Sequence, residues 1–140
     1  MAYLIGIILA LAVGVLATVV GFDRDRAFYP TVMIVIASYY VLFAVADGRV
    51  NVIAMEIAIM ALFAGLAIAG FKRSLWLLVA ALAAHGLFDW MFAPSIPNAG
   101  VPPWWPQFCL AYDVVAAAYL AYRLYGAPVH PARPLAPKND

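Results

Sequence analysis

Five apolar stretches of membrane-spanning length follow one another along this chain of 140 residues, separated by short polar breaks. They cover residues 2–21, 29–46, 50–70, 74–93 and 107–125. A helix needs about 20 mostly apolar residues to cross the hydrocarbon core of a bilayer. The chain is 68% hydrophobic and 11% charged, whereas a soluble domain is about half apolar and a quarter charged. We therefore predict an all-α integral membrane protein with five transmembrane helices.

The breaks between these stretches leave no room for a separate soluble domain, so we predict a single transmembrane helical domain over residues 1–126. Loops this short join antiparallel neighbours, which favours an up-down bundle. The segment that follows, residues 127–140, contains four prolines. Because proline interrupts a helix, we expect this Pro-rich tail to be disordered.

The basic residues are distributed unevenly between the two sides of the predicted bundle. If five helices alternate in direction, one side carries only Arg49 and the other carries seven of the eight Lys and Arg residues. Short loops rich in Lys and Arg stay in the cytoplasm. We therefore predict that the N-terminus lies outside and that the C-terminus, with the tail 127–140, is cytoplasmic.

The first apolar stretch carries a seam of small residues at every fourth position. These residues are Gly6, Ala10, Gly14 and Thr18. Small side chains let membrane helices approach one another closely. The seam predicts ordinary helix packing.

The run Asp-Arg-Asp-Arg at residues 23–26 compensates its own charge. Arginine side chains near a helix end extend toward the aqueous side of the membrane while their aliphatic stems remain apolar. We therefore expect this run to form a solvated turn at the cytoplasmic interface.

Four ionisable side chains lie inside the predicted membrane-spanning stretches: Glu56, His85, Asp89 and Asp113. Such a group costs ~2.5–3.5 kcal/mol at a helix centre, so it usually faces the bundle interior. With a rise of ~1.5 Å per residue, all four fall roughly 6–12 Å below the same side of the membrane. His85 and Asp89 are four residues apart and project from one helix face. We predict that these four residues form a buried polar site on the periplasmic side and are its catalytic candidates.

Aromatic residues are predicted to surround this site. The ligand-binding candidates are Tyr39, Tyr40, Tyr112, Trp104 and Trp105. The two tryptophans belong to residues 94–106, a proline-rich segment without charge. Tryptophan favours the membrane interface. The same segment would also form a stiff lid or a side entrance over the site.

The polar residues leave several interpretations open. In the first, His85 and Asp89 neutralise each other, Glu56 and Asp113 stay uncharged, and all four hold helices together by hydrogen bonds of ~0.6–2 kcal/mol each. In the second, a zinc ion binds the set His85, Asp89, Cys109 and Asp113. Histidine, cysteine and carboxylates are the usual zinc ligands, although one histidine is few for such a site.

In the third interpretation, which we favour, the pocket binds or transforms a small lipophilic or amphipathic molecule without metal or other cofactor. His85 and a carboxylate would exchange protons with that molecule. Whether the chain is an enzyme is left open. Two alternatives are a non-catalytic accessory subunit of a membrane complex and a small proton-coupled transporter, although five helices without an internal repeat make a poor carrier on their own.

Composition also limits the partners. The net charge of +1 gives no strong field for a polyanion, so we predict no nucleic-acid partner. We expect membrane lipids and a lipophilic small molecule instead. A homo-oligomer or a larger membrane complex is left open.

Three segments resemble small multi-pass membrane proteins of bacteria. They are HGLFD at residues 85–89, GVPPWWPQFCLAYD at residues 100–113 and GFDRDRAFYP at residues 21–30. The resemblance covers most of the chain. It implies a bacterial inner-membrane protein and implies no particular chemistry.

A looser similarity is to the sterol isomerase and sigma-2 receptor superfamily, whose compact helical bundles bind sterols or hydrophobic amines. Those proteins use an intramembrane histidine with carboxylates, one of them four residues further along the helix. The similarity implies that His85 and Asp89 act together. It also implies that Glu56 or Asp113 serves as the second acid.

Overall fold

The computed structural model describes residues 1–126, which are helical apart from their connecting turns. The α-helices of this part are α1 (Ala2–Val20), α2 (Phe28–Asp47), α3 (Val50–Lys72), α4 (Leu75–Met91) and α5 (Trp105–Gly126). Two short 3₁₀-helices, Phe22–Arg24 and Ala93–Ser95, lie in the connections. The prediction of an all-α chain with five helices is confirmed for these residues. The predicted tail 127–140 lies outside them.

The helix ends follow local sequence signals. α1 and α2 are each followed by a glycine in the left-handed region, Gly21 with φ 89° and Gly48 with φ 84°, where a side chain would be strained. Ser74 caps α4 by accepting a hydrogen bond from a backbone N–H two residues later. α5 begins at Trp105, two residues before the predicted start, because Pro106 fits in the first turn of a helix.

Three of the helices are long and apolar enough to cross a membrane. They are α1, α2 and α3, with 19, 20 and 23 residues. α4 is apolar but has 17 residues, and α5 has 22 residues with a more polar composition. Large apolar side chains such as Leu16, Leu42 and Leu62 lie exposed on the three long helices. Continuous apolar surface of this kind suits a lipid environment and indicates a membrane protein.

The packing order of the helices differs from their order in the chain. α5 packs between α1 and α4, and α3 packs between α4 and α2. The small seam of α1 lies against α5, where a Cβ on Gly6 would come within 2.6 Å of the Phe108 carbonyl oxygen. α1 therefore packs chiefly against α5 and makes little contact with α2, although a short connection joins α1 and α2. This leaves a gap between α1 and α2, with α5 behind it.

Arginines tie the connections together at both ends of the bundle. One end, which we call the loop end, contains residues 47–49 and 92–104; the opposite end contains residues 21–27 and 73–74. At the loop end, Arg49 pairs with Asp47 at 2.9 Å and donates a hydrogen bond to the Pro97 carbonyl. At the opposite end, Arg26 donates to the Phe71 carbonyl at 3.1 Å. The loop 92–104 is thereby fastened to the end of α2.

The prediction of a solvated turn at residues 23–26 is wrong for Asp23. Its side chain is buried and pairs with Arg123 of α5 at 3.0 Å. Thr18 donates a hydrogen bond to the same carboxylate at 2.7 Å and lies 2.8 Å from the Tyr119 hydroxyl. Because Thr18 gives its single O–H to Asp23, the Tyr119 hydroxyl is the donor of the second bond. These four residues, the opposite-end cluster, fasten the end of α1 to α5.

Candidate functional site

His85, Asp89 and Asp113 lie together between α4 and α5. His85 Nδ1 is 2.7 Å from Asp113 Oδ2 and 3.6 Å from Asp89 Oδ2. All three side chains are at most 2% exposed. The spacing of four residues puts His85 and Asp89 on one face of α4, and Gly86 lets α5 approach, since a Cβ there would lie 3.0 Å from Asp113 Cβ. We call these three residues the His–Asp cluster.

Several polar atoms around this cluster lack a partner. Tyr40 and Cys109 lie beside Asp89, and the ring of Phe63 packs edge-on against His85 at 4.6 Å between centroids. Within residues 1–126, the Tyr40 hydroxyl, Asp89 Oδ2 and Asp113 Oδ1 are buried without a hydrogen-bond partner. Buried polar atoms in proteins nearly always have a partner. These three atoms therefore mark a place where a ligand, a water or a proton is expected.

Glu56, the fourth catalytic candidate, has a different partner. Its Oε1 accepts a hydrogen bond from Asn98 Nδ2 at 2.9 Å, and Asn98 Nδ2 also donates to the Tyr40 carbonyl at 3.2 Å. A cavity of about 10 Å³ separates Glu56 from His85 and Asp89. Glu56 is thus next to the His–Asp cluster without direct contact.

Asn98 is a site residue that the sequence interpretation missed. It is buried and connects the loop end to both α2 and α3. The only signal in the sequence was that it is the sole side-chain amide between residues 94 and 106. The loop carrying it lies over the small cavity, which Ala93 and Ile96 help to line.

A groove of about 690 Å³ lies in the gap between α1, α2 and α5. It extends from Phe22 and Asp25 at the opposite end to Tyr39 and Trp105 near the loop end. Its walls are mainly apolar and include Leu9, Phe28, Val32, Val35, Ile36 and Phe108. α5 contributes Cys109, Tyr112 and Asp113 to the lining. The groove therefore opens sideways between α1 and α2 and reaches the His–Asp cluster at Asp113.

The aromatic candidates fall into three groups. Tyr39, Tyr112 and Trp105 line the groove, whereas Tyr40 lines the small cavity beside Glu56. Trp104 is half-exposed, and its ring is tilted by 58° against that of Trp105, with 5.5 Å between ring centroids. Its position at the loop end is typical of a tryptophan at the membrane interface.

The predicted zinc ligands are brought together only in part. His85, Asp89 and Asp113 have ligand atoms within 4.8 Å of one another, and Cys109 lies beside Asp89. Ligand atoms around a tetrahedral zinc ion are roughly 3.4 Å apart. The 2.7 Å between His85 and Asp113 is a hydrogen-bond distance, so an ion would have to separate this pair. A metal therefore stays a prediction.

The fold and the site together define a class of protein: an all-α bundle with apolar helices of membrane-spanning length and a buried His–Asp cluster beside an open groove. No protein-family model, no curated protein and no solved structure matches the chain. The resemblances in the sequence therefore stay predictions. What the site does has to be inferred from its own geometry.

Proposed function

We propose that this chain is a multi-pass protein of the bacterial inner membrane that binds, or chemically transforms, a small lipophilic or amphipathic molecule in the groove. The observation that carries the proposal is that a groove of about 690 Å³ with apolar walls reaches the buried Asp113. Ligand pockets typically have volumes of about 300–1,000 Å³ and a few polar groups among apolar ones. The walls suit a lipophilic body, and Asp113 suits one polar group on it.

Five spans and a cytoplasmic C-terminus are part of this proposal. α4 has 17 residues, which is at the lower limit of about 17 for a spanning helix, and α5 packs along both α1 and α4. The basic residues support the orientation. Arg24, Arg26, Lys72, Arg73 and Arg123 belong to the opposite end, and Arg49 belongs to the loop end. By the positive-inside rule, the loop end faces the periplasm.

The position of the groove supports entry from the bilayer. Its rim is formed by exposed apolar residues such as Val35 and Phe22, which lipid would surround in a membrane. A lipophilic molecule dissolved in the bilayer would enter between α1 and α2 without crossing water. This route favours a lipophilic ligand over a free solute.

The polar end of the ligand would meet Asp113. Its Oδ2 is bonded to His85, while its Oδ1 has no partner among the described residues. Asp113 is 0% exposed, so a hydroxyl or amine on the ligand would donate to Oδ1 once the groove wall around it opens. His85 would then hold or take up a proton through the same carboxylate, which is the arrangement general acid–base chemistry requires.

Native mass spectrometry of the gently solubilised protein tests the proposal. Val35 and Val45 are both exposed valines of α2, but only Val35 lines the groove. We expect a discrete organic adduct on the wild type and on Val45→Trp. Val35→Trp should lose the adduct, because the indole fills the groove without touching the charge of the His–Asp cluster.

Two results would contradict the proposal. One is a wild-type protein without any adduct when it is extracted from its own membrane. The other is an adduct retained by Val35→Trp as fully as by Val45→Trp, which would place the molecule elsewhere. The mass of the adduct would separate an organic ligand from a metal ion.

A further inference from the structure

Buried polar groups follow one another through the bundle from the loop end to the opposite end. Glu56, His85, Asp113 and Asp23 are all buried. His85 and Asp113 are already joined by a hydrogen bond of 2.7 Å. At the opposite end, a second hydrogen-bonded run leads through the cluster described above to Asp23, with distances of 2.8 and 2.7 Å. Two gaps separate these segments.

The first gap, between Glu56 and His85, contains a cavity. Its volume is about 10 Å³, and Tyr40, Glu56, His85 and Asp89 line it. A cavity of about 10–15 Å³ holds one water when polar partners surround it. The Tyr40 hydroxyl and Asp89 Oδ2 are such partners, since the two groups lie near each other without hydrogen-bond geometry and neither has another partner within the described part of the chain. One water in this cavity would connect Glu56 to the His–Asp cluster.

The second gap, between Asp113 and Tyr119, contains another cavity. Its volume is again about 10 Å³, and Tyr29, Tyr112 and Tyr119 line it. The Tyr29 hydroxyl is buried and has no partner in residues 1–126. Tyr112 also lines the groove, as does Asp113. Water in the groove would be needed to join Asp113 to Tyr112, and one water among the three tyrosines would complete the connection to Tyr119.

We propose that these groups form a proton path through the bundle, with Glu56 at one end and Asp23 at the other. This function goes beyond ligand binding, and its step from Asp113 to Tyr112 shares the groove with the proposed ligand. The structure places a carboxylate, an imidazole, a hydroxyl or a water-sized cavity at each step except that from Asp113 to Tyr112, which needs water in the groove. Both cavities coincide with buried polar atoms that lack partners, which is the observation that distinguishes a path from separate structural contacts.

Each step transfers one proton and leaves the charge of the group as it was, and the group turns back before the next proton passes. Asp113 can receive a proton on Oδ2 from His85 and release one from Oδ1, its unpartnered oxygen. A tyrosine hydroxyl or a water accepts on oxygen and donates its own hydrogen. One proton enters at Glu56 for each proton that leaves at Asp23, and no other bond changes. A pH difference or a membrane potential supplies the driving force.

The test uses the full chain in liposomes that contain a pH-sensitive dye, with valinomycin and a potassium gradient to set the potential. We expect the wild type to pass protons faster than protein-free vesicles. Tyr29→Phe removes one oxygen and should lower the initial rate by roughly tenfold or more, as expected when a proton-transfer group is lost. The matched control is Tyr122→Phe, because Tyr122 is 70% exposed on α5, and it should conduct like the wild type.

A wild-type rate equal to that of protein-free vesicles would overturn the proposal. So would a Tyr29→Phe rate equal to that of the wild type. Asp113→Asn should also abolish conduction; if that variant does not fold, Tyr29→Phe decides the question. Because Tyr29 is not among the residues lining the groove, failure of this experiment is distinguishable from failure of the ligand experiment.

Discussion

The two buried polar clusters of this bundle balance their charges differently. In the opposite-end cluster, the Asp23 carboxylate has a guanidinium at 3.0 Å and a hydroxyl donor at 2.7 Å. In the His–Asp cluster, Asp89 and Asp113 share one imidazole, and the nearby Glu56 has only the Asn98 amide. Neither lysine nor arginine pairs with these three carboxyl groups within the described residues.

This difference separates a structural role from a functional one. The Asp23–Arg123 pair is matched in charge, although Asp23 Oδ1 has no hydrogen-bond partner within the described residues. Removal of one partner is what destabilises such a pair. The carboxyl groups of the His–Asp cluster share one histidine and lack this charge balance. Proteins accept unfavourable arrangements of this kind mainly where function requires them. The comparison therefore supports the proposed ligand and proton chemistry for the His–Asp cluster. The Asp23–Arg123 pair fastens α5 to the end of α1, and its Asp23 carboxylate is also the proposed end of the proton path.

The largest expected change in unfolding free energy follows from breaking the Asp23–Arg123 pair. Arg123→Met leaves the buried Asp23 carboxylate without its cation. Loss of one partner of a fully buried pair costs about 3–5 kcal/mol. The Arg123 side chain is 33% exposed, so we expect a smaller loss of unfolding free energy, about 2–3 kcal/mol. Denaturant unfolding in detergent measures it.

The exposed Arg24 provides the control for this prediction. Arg24→Met removes the same charge at the same end and should change the unfolding free energy by less than about 0.5 kcal/mol. Asp23→Asn combined with Arg123→Met should recover much of the lost stability, because no charge is then left unpaired. A double variant as unstable as Arg123→Met alone would contradict the structural role of the pair.

A smaller loss of unfolding free energy is expected at Asn98, where the loop end meets the His–Asp cluster. Asn98→Ala removes the hydrogen bonds to Glu56 and to the Tyr40 carbonyl. A buried group left unsatisfied costs about 1–3 kcal/mol, and we expect about 1–2 kcal/mol because water can reach the loop end. Limited proteolysis between residues 94 and 106 should accelerate in parallel. Ser95→Ala, at an exposed position of the same loop, should leave both the stability and the cleavage rate unchanged.

The sequence predicted well what depends on local spacing. The length of the apolar runs predicted five helices, and the spacing of His85 and Asp89 predicted their common face. The small seam containing Gly6 predicted close helix packing, although not that α5 would be the partner. Because α1 packs against α5, the groove stays open between α1 and α2. The short connection between α1 and α2 had predicted contact between these two helices.

What the sequence could not predict depends on contacts between distant segments. Asp23 looked like part of a solvated turn because its neighbours compensate its charge. Its burial depends on Arg123, which approaches from the far end of α5. Asn98 looked like an ordinary loop residue, and its role depends on how the loop folds back over Glu56. In both cases the local pattern gives no information about the partner.

The smallest effect on stability, and the sharpest test of the comparison, is expected at Asp89. Asp89→Asn keeps the shape of the side chain and removes one carboxyl group from a cluster in which two carboxyl groups share one histidine. Asp89 Oδ2 has no hydrogen-bond partner in the described chain and lies 3.6 Å from His85. We therefore expect the unfolding free energy to stay unchanged or to rise by up to about 1 kcal/mol, while the adduct seen by native mass spectrometry weakens.

The unfolding free energy of Asp89→Asn is best compared with that of Arg123→Met. If Asp89→Asn lowers stability as much as Arg123→Met does, the His–Asp cluster fastens helices just as the opposite-end cluster does, and the assignment of function to it is wrong. If stability is kept and the adduct is lost, the carboxyl group of Asp89 serves binding rather than folding. Excess carboxyl groups in an apolar interior would then identify the ligand-binding part of this bundle, and the Asp23–Arg123 pair the part on which its stability depends most.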